Sequence, residues 1–388
     1  MAIEDIEKIA IIGAGAMGHG IAQISASAGF NVSLIDIEEE ILEEAMDNIE
    51  WSLNKFVEKN KITEEEREET LSKIQTTTDQ DKGVSDADLV IEAAPEKMDL
   101  KKQIFSDVDK AAPEEAIISS NTSSLSIGEM AEATERPEKF LGLHFFNPPV
   151  RMRLVEIIRH EETSDETVNT CVDYAKKLDK TPVVCRKDVP GFIVNRVLGP
   201  VINEAAWALH RGEATKEEID AAAKFKAGLP MGLFELADFT GLDINKEVSR
   251  VLYEGYGERM KPAPQIDDLV EEGKLGKKSG EGFYDSWPDR PSISLMKAEE
   301  FDHKRIYAAA ANEAAYIVQD DVADPEDIDR AIEYGLGWGE GPCKLADDEG
   351  IGKIVEKLEE VYEKHGDERY KPCPLLKEYA EEGRGFYE

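Results

Sequence analysis

Lys8-Ile9-Ala10-Ile11-Ile12-Gly13-Ala14-Gly15-Ala16-Met17-Gly18 is the stretch that predicts the fold of the N-terminal part of the chain. Its first five residues read as a short apolar strand, and a helical pattern runs on to Gly29. The glycines allow a tight turn and let the backbone approach a pyrophosphate, which then rests on the helix N-terminus. The pattern therefore predicts a dinucleotide site with contacts from Gly13, Gly15, Ala16, Met17 and Gly18.

A carboxylate follows the next strand at the distance that a dinucleotide site requires. Residues 32–35 form an apolar run that ends in Asp36, eighteen residues after Gly18. Such a carboxylate accepts hydrogen bonds from the adenosine ribose. It would also repel a 2′-phosphate, and Ile37 supplies no compensating cation. We therefore predict NAD rather than NADP, with an ordinary helix N-cap as the alternative for Asp36.

Strand-like and helical segments alternate through the first 160 residues. Apolar runs at 88–92, 116–119, 140–144 and 153–158 predict a doubly wound, mostly parallel sheet. The charged segment 38–72 is longer than an ordinary connection between strands, and a break near 61–63 predicts a helical hairpin.

The hairpin also carries a local cluster of positive charge. Lys55, Lys59 and Lys61 fall together in a chain that is otherwise strongly acidic. They form either a solvated helix face or the seat of a phosphorylated ligand.

A histidine and a glutamate in neighbouring strands are the first candidates for chemistry. His144 ends an apolar strand at the carboxyl edge of the sheet, where ligands bind in open α/β folds. Glu156 shares the apolar face of its strand with Leu154 and Ile158. A carboxylate on such a face is costly unless paired, and we predict His144 as its partner. The pair would fix the imidazole tautomer and leave the other ring nitrogen as a base, although a core histidine or a structural salt bridge is the alternative.

Two further polar features have both a functional and a structural interpretation. Residues 120–124 are five polar residues at a strand end, and they either face a ligand or cap the following helix. Pro190-Gly191 marks a domain boundary, after which a helix spans 192–211. Asn195 lies on the apolar face of that helix, as a satisfied core amide or as a residue that points across a cleft.

Composition excludes several classes of protein. The 388 residues include 46 basic and 83 acidic ones, for a net charge of −37, so nucleic-acid binding is not expected. We expect no membrane span, signal peptide or metal site. The four cysteines lack ligand-like spacing, and this favours a reducing cytoplasm. Self-repulsion at this charge favours adaptation to high internal salt, although the many lysines weigh against it.

The C-terminal part of the chain contains an internal repeat. Asn203-Glu204-Ala205-Ala206 recurs 109 residues later as Asn312-Glu313-Ala314-Ala315. The same shift relates Ile219-Asp220 to Ile328-Asp329, and it places Lys304 where the first copy has Asn195. We predict an α/β domain at 1–189 followed by two copies of one all-α domain at 190–292 and 297–388.

These motifs together resemble the 3-hydroxyacyl-CoA dehydrogenase family, in particular its 3-hydroxybutyryl-CoA dehydrogenases of archaeal type. The resemblance covers essentially the whole chain. It is carried by the glycine-rich stretch 13–18, by 120–125, 142–148 and 154–156, and by the segment 188–196. The family fold implies a Rossmann-type NAD-binding domain and a helical C-terminal domain.

The resemblance implies roles for matching residues. His144 resembles the family's catalytic base and Glu156 its carboxylate partner. Ser123 and Asn195 resemble groups that hold the substrate oxygen at C3 or the thioester carbonyl. Asn147 resembles a residue near the nicotinamide. The further NAD contacts implied are Asp36, Glu96, Lys101, Ser123 and Lys278, and the coenzyme A contacts implied are Ser52, Lys59 and Ser123.

The activity implied is reversible, NAD-dependent oxidation of an L-3-hydroxyacyl-CoA, 3-hydroxybutyryl-CoA in particular, to the 3-ketoacyl-CoA. The alternatives are a sugar-acid dehydrogenase of the gulonate type on the same fold and an NAD-binding protein without activity. Family members with one helical domain dimerise through it. Because this chain has two copies, it is expected to be either a monomer that mimics the dimer or a homodimer.

Overall fold

The computed structural model describes residues 2–387. The chain divides into two compact units, Met1–Asp188 and Val189–Glu388. This division falls beside the boundary that the sequence predicts at 189–190.

An eight-stranded sheet forms the centre of the first unit, in the order β3-β2-β1-β4-β5-β6-β7-β8. Neighbouring strands are parallel except β6 and β7, which are antiparallel. The doubly wound, mostly parallel sheet is therefore confirmed. The strands are β1 Lys8–Ile12, β2 Asn31–Ile35, β3 Ile74–Thr77, β4 Leu89–Glu92, β5 Ile117–Ser120, β6 Phe140–Phe145, β7 Leu154–Ile158 and β8 Thr181–Cys185.

Helices pack around this sheet, and two of them form the predicted hairpin. Helix α2 buries Leu42, Ala45, Ile49 and Leu53, whose spacing gives one apolar face. The helices are α1 Gly18–Ser27, α2 Glu39–Glu58, α3 Glu64–Ser72, α4 Gln80–Val84, α5 Met98–Ala111, α6 Ile127–Ala131 and α7 Asp165–Lys177, with single 3₁₀ turns at Ile3–Asp5 and Pro137–Lys139.

The predicted break of the hairpin near 61–63 is confirmed by the cap of α3. Thr63 is its N-cap, and the Thr63 side chain accepts a hydrogen bond from the backbone amide of Glu66. The backbone amide of Thr63 in turn donates to the Glu66 carboxylate at 2.7 Å. This capping box satisfies two backbone donors at the start of the helix. The turn between α2 and α3 is therefore fixed by local sequence.

Two edge strands are absent from the sequence prediction. β3 exposes Gln75 and Thr76 and lacks the apolar run of a central strand. β8 contains Pro182 and lies at the edge of the sheet. An edge strand tolerates proline because its outer side has no neighbouring strand to which a backbone N–H would have to donate. Both strands form by pairing with an outer strand of the sheet, and the local sequence carries no signal for that pairing.

The second unit is helical and is built from two similar halves. The first half contains α8 Val194–His210, α9 Lys216–Phe225, α10 Leu233–Thr240, α11 Leu242–Tyr256, a 3₁₀ turn at Gly257–Met260 and α12 Pro264–Glu271. After a 3₁₀ turn at Leu295–Lys297, the second half contains α13 Lys304–Gln319, α14 Pro325–Leu336, α15 Pro342–Glu349, α16 Ile351–His365, a 3₁₀ turn at Glu368–Tyr370 and α17 Pro374–Glu382. The 109-residue shift relates both ends of α10 to α15 and of α11 to α16.

Buried hydrogen bonds repeat with the same shift. Asp220 accepts from the backbone amides of Phe234 and Glu235 at 2.8 and 3.0 Å. Asp329 accepts from the amides of Cys343 and Lys344 at 2.7 and 2.9 Å. Each aspartate thus satisfies the first amides of a following helix, which explains why the repeat retains it.

The two halves contact each other through reciprocal ion pairs. Arg196 Nε lies 2.7 Å from Glu313, and Arg305, its counterpart 109 residues later, lies 2.5 Å from Glu204. Equivalent residues thus meet in both directions, as in an isologous interface. The halves pack as one unit, and the separate domains 190–292 and 297–388 stay a prediction.

Candidate active site

The glycine-rich loop after β1 has the shape that a pyrophosphate requires. Gly13 has φ +99°, and a Cβ there would lie 2.6 Å from the carbonyl oxygen of Ala93. A Cβ on Gly18 would lie 1.7 Å from the carbonyl oxygen of Gly13, so the helix packs against the loop only with glycine. A Cβ on Gly15 would instead enter open space. The loop therefore leaves room for a ligand beside its backbone, and Ala16 and Met17 complete it.

Asp36 is anchored beside this loop. Its carboxylate accepts from the backbone amides of Ala14 at 2.7 Å and Ile37 at 2.8 Å. The N-cap of the following helix is Glu38, so the alternative that Asp36 caps this helix is not supported. A carboxylate at the end of β2 next to an open glycine loop fits the adenosine ribose of NAD.

His144 and Glu156 lie directly opposite each other on the antiparallel strands β6 and β7. His144 Nδ1 is 2.7 Å from Glu156 Oε2, and the glutamate is fully buried. The predicted pairing is confirmed. Because the carboxylate accepts a hydrogen bond from Nδ1–H, the tautomer that leaves Nε2 as an acceptor is favoured.

The polar loop after β5 is organised by Glu96. One oxygen of this carboxylate accepts from the backbone amide of Ser123 at 3.0 Å, and the Ser123 hydroxyl lies 3.5 Å from it. The Thr122 hydroxyl also donates to it. The N-cap of the following helix is Ser126, so 120–124 is not its cap. The half-buried Ser123 is thus held by a neighbouring strand-end loop.

Lys101 lies beneath this loop and is 1% exposed. Its ammonium is 2.6 Å from Glu92 Oε1 and 3.2 Å from Glu96 Oε2. The resemblance implies an NAD contact for Lys101, and the structure brings its ammonium to two carboxylates. Sequence reasoning did not single out Glu92. The signal that could have identified Glu92 is a carboxylate at the last position of a strand whose residues are all buried.

A cavity of about 910 Å³ lies between the helical hairpin, the start of α1 and the turn after β6. Ser52, Lys55, Lys59 and Lys61 line it, together with the aromatic side chains of Trp51 and Phe56, the loop and helix residues Ala16 and His19, and Pro148 and Pro149. The predicted basic cluster thus lines a cavity that reaches the glycine loop. Sequence reasoning did not single out the two aromatic residues.

The other predicted site residues are Asn147, Asn195 and Lys278. Asn147 is exposed on the turn after β6. Asn195, in the first turn of α8, and Lys278, which forms an ion pair with Asp243, belong to the second unit. In the second half of that unit, Lys304 pairs with Glu349 at 3.0 Å.

Within 2–387, no group of three or more His, Cys, Asp or Glu residues could hold a metal ion. None of the described helices is both long and apolar enough to span a bilayer.

Comparison with known proteins identifies the family. The family model for the NAD-binding domain of 3-hydroxyacyl-CoA dehydrogenase matches residues 8–189. The model for the C-terminal domain of the same enzyme matches twice, at 191–286 and 301–386. The chain belongs to the 3-hydroxyacyl-CoA dehydrogenase family. Its activity is the NAD-dependent oxidation of 3-hydroxyacyl-CoA.

Relatives agree with this assignment. The mitochondrial hydroxyacyl-coenzyme A dehydrogenase of Rattus norvegicus is 47% identical over 286 residues, which cover 72% of this chain and 91% of that protein. The fatty acid oxidation complex subunit alpha of Shewanella amazonensis is 37% identical over 98% of this chain and 56% of that protein. Among solved structures, 3-hydroxybutyryl-CoA dehydrogenase from Escherichia coli K12 has a TM-score of 0.91 and 31% identity, covering 98% of this chain and 99% of that one. The dehydrogenase family assignment favours the acyl-CoA interpretation over the sugar-acid and inactive alternatives.

Proposed function

We propose that this dehydrogenase acts on short-chain L-3-hydroxyacyl-CoA, 3-hydroxybutyryl-CoA in particular, with His144 as its catalytic base. The observation that carries the base assignment is the 2.7 Å contact of His144 Nδ1 with the buried Glu156. Support for the short acyl chain is similarity to two solved 3-hydroxybutyryl-CoA dehydrogenases, from Escherichia coli and Ralstonia eutropha, at 31% and 41% identity.

The proton step follows from the orientation of the imidazole. With Nδ1–H donating to Glu156, Nε2 accepts the proton of the C3 hydroxyl. The carboxylate then stabilises the positive charge that develops on His144. The chemistry that NAD supplies when bound is acceptance of the C3 hydride as a two-electron oxidant. Acid–base catalysis of this kind contributes about 10²- to 10⁴-fold to the rate.

Ser123 and Asn195 are proposed to hold the C3 oxygen or the thioester carbonyl, and Asn147 to lie near the nicotinamide. Gly13, Gly15, Ala16, Met17, Gly18 and Asp36 are proposed to bind NAD, with Glu96, Ser123 and Lys278 as further contacts. Lys101 is proposed to act on the NAD site through its ion pair with Glu96.

Coenzyme A is proposed to occupy the cavity of the helical hairpin. Ser52 and Lys59 line this cavity, together with Lys55 and Lys61. The positive charge of the three lysines is complementary to the nucleotide phosphates. Trp51 and Phe56 offer apolar surface to the rest of the carrier. A sugar-acid substrate has no phosphorylated carrier that would need this cavity.

We also propose that the protein is a monomer in a reducing cytoplasm. The reciprocal pairs Arg196–Glu313 and Arg305–Glu204 occupy an isologous interface within one chain, and so a monomer is favoured over a homodimer. Light scattering in high salt tests this. The four cysteines are all buried, which is compatible with a reducing cytoplasm.

The experiment that tests the substrate is a chain-length series. NADH oxidation is measured with 3-ketoacyl-CoA substrates from four to sixteen carbons, and with a keto-sugar acid. The highest kcat/KM is expected for acetoacetyl-CoA. A maximum at long acyl chains would contradict the short-chain proposal, and turnover of the sugar acid alone would contradict the use of coenzyme A.

A further inference from the structure

A buried ion pair lies directly below the loops of the candidate site. Glu92 ends β4 and is completely buried, and the Lys101 ammonium, on α5, lies 2.6 Å from its Oε1. The same oxygen accepts from the backbone amide of Ala94 at 2.7 Å. Buried ion pairs contribute little net stability compared with apolar residues, because desolvation offsets their attraction. A role other than stability is therefore worth testing.

The ammonium of Lys101 connects this pair to the loop that carries Ser123. It lies 3.2 Å from Glu96 Oε2, while Glu96 Oε1 receives the Ser123 amide at 3.0 Å. Lys101 thus holds one oxygen of Glu96, and the serine loop is bonded to the other. The position of Glu96 depends on both contacts.

The second oxygen of Glu92 connects to the same loop from below. Ser120 donates to Glu92 Oε2 at 2.6 Å, and the Thr122 amide donates to the Ser120 hydroxyl at 3.2 Å. Asn121 Oδ1 accepts from the Phe145 amide at 2.9 Å, next to His144. One polar network therefore joins the carboxyl ends of β4, β5 and β6.

We propose that Lys101 and Glu92 are positioning residues that act through Glu96 to orient Ser123 toward the substrate oxygen. This inference rests on the proposed role of Ser123. Lys101 acts on the reaction through Glu96, and direct contact with NAD is not needed for its effect. Misplacement of a catalytic group by 1 Å can cost about 10²-fold in rate, so a large effect from a residue that acts through Glu96 is physically reasonable.

The first test is Lys101→Met, with Lys102→Met as the matched control. Lys102 is the next residue of the same helix but is partly exposed and pairs with Glu129 at the surface. We expect Lys101→Met to lower kcat for acetoacetyl-CoA reduction by about 10- to 100-fold, with KM changed much less and the control unaffected. An unchanged kcat in Lys101→Met would overturn the proposal.

A second variant separates positioning from folding. Lys101→Met alone leaves Glu92 as an unpaired buried carboxylate, which destabilises the protein. The double variant Lys101→Met/Glu92→Gln removes that charge, and we expect its melting temperature to recover while kcat stays low. Recovery of kcat together with stability would show that the pair is merely structural.

A third comparison tests whether Lys101 acts through Glu96. Lys101→Met is introduced into a Glu96→Gln background, and kcat/KM for acetoacetyl-CoA and the dissociation constant of NADH are measured. We expect less than a twofold further change in either quantity. A further loss as large as in the wild-type background would show that Lys101 contacts a reactant directly.

Failure of this inference can be told apart from failure of the proposed function. Ser123→Ala in the wild-type background is expected to lower kcat as Lys101→Met does. If Ser123→Ala leaves kcat unchanged, the proposed role of Ser123 is wrong. If Ser123→Ala lowers kcat and Lys101→Met does not, only the positioning role is wrong.

Discussion

Glu156 lies directly across the β6–β7 ladder from His144, with its carboxylate 2.7 Å from the imidazole Nδ1. Register alone brings the two side chains together, because directly opposed residues on antiparallel strands lie on the same face of the sheet. The strand turn between them carries Asn147. The pair is therefore built into the sheet and does not depend on a flexible loop.

Replacement of Glu156 by Gln tests the function of this carboxylate. The amide keeps the size of the side chain but cannot stabilise a charged imidazole, and it can favour the wrong tautomer. We expect kcat to fall by about 10²- to 10⁴-fold, with a small change in KM. Steady-state NADH oxidation with acetoacetyl-CoA measures both constants. Less than a threefold loss of kcat would contradict the role of Glu156.

Substitution of Lys59 tests the coenzyme A cavity. Lys59→Met removes one positive charge from the cavity wall, and we expect KM for acetoacetyl-CoA to rise by about 2- to 5-fold while kcat is unchanged. With acetoacetyl-pantetheine, which lacks the nucleotide, the same variant should have no effect. Lys73→Met is the control, because Lys73 follows the same hairpin but pairs with Glu69 away from the cavity. An equal change in KM for both substrates would place the carrier elsewhere.

Lys180 gives the first unit a predicted pH dependence. Its ammonium donates to the carbonyl oxygens of Pro149 and Met152 at 2.6 and 2.7 Å, and burial lowers its pKa from 10.5 to about 8. Between pH 8 and 10.5 the unfolded chain binds more protons at this site than the folded chain does. The stability contribution of Lys180 therefore rises with pH across that window, and its full penalty is present below pH 8.

This dependence is measured with Lys180→Met and urea unfolding at several pH values. The difference in unfolding free energy between wild type and variant should shift in favour of the wild type from pH 8 to 10.5. Lys176→Met, an exposed lysine of α7, should show no such trend. A pH-independent difference for Lys180→Met would show that its pKa is unshifted.

The reciprocal ion pairs of the second unit predict matching effects on stability. Burial raises the pKa of both Glu204 and Glu313, and the positive charges of Arg305 and Arg196 oppose that rise. Arg196→Met and Arg305→Met should each lower the free energy of unfolding by about 3–5 kcal/mol. Arg250→Met removes an exposed arginine and should cost under about 1 kcal/mol. Equal, small effects of all three would show that the reciprocal pairs do not stabilise the packed halves.

Much of the fold and site followed from the sequence because the relevant signals are local. The glycine loop, Asp36 and the hairpin are each specified within a few turns of chain. His144 and Glu156 could be paired because a period of two places Glu156 on an apolar face, where an unpaired carboxylate is costly.

Other contacts could not be predicted because they depend on the packing of distant elements. Lys101 lies in a charged helical segment that is typical of a solvated face, and its burial follows from the position of α5 against β4. The partners of Arg196 and Arg305 lie more than 90 residues away, and repetition alone does not state which helix faces which. The edge strands β3 and β8 form only because the sheet already exists.

A comparison of two histidine variants tests the assignment of His144 as the base. Acetoacetyl-CoA reduction is measured for His144→Gln and for His160→Gln, a second buried histidine whose Nε2 lies 2.9 Å from the carbonyl oxygen of Pro137. We predict that His144→Gln lowers kcat by at least about 10²-fold, with NADH binding retained, while His160→Gln keeps near-normal kcat. Near-normal turnover by His144→Gln at saturating substrate would contradict the assignment of His144 as the base.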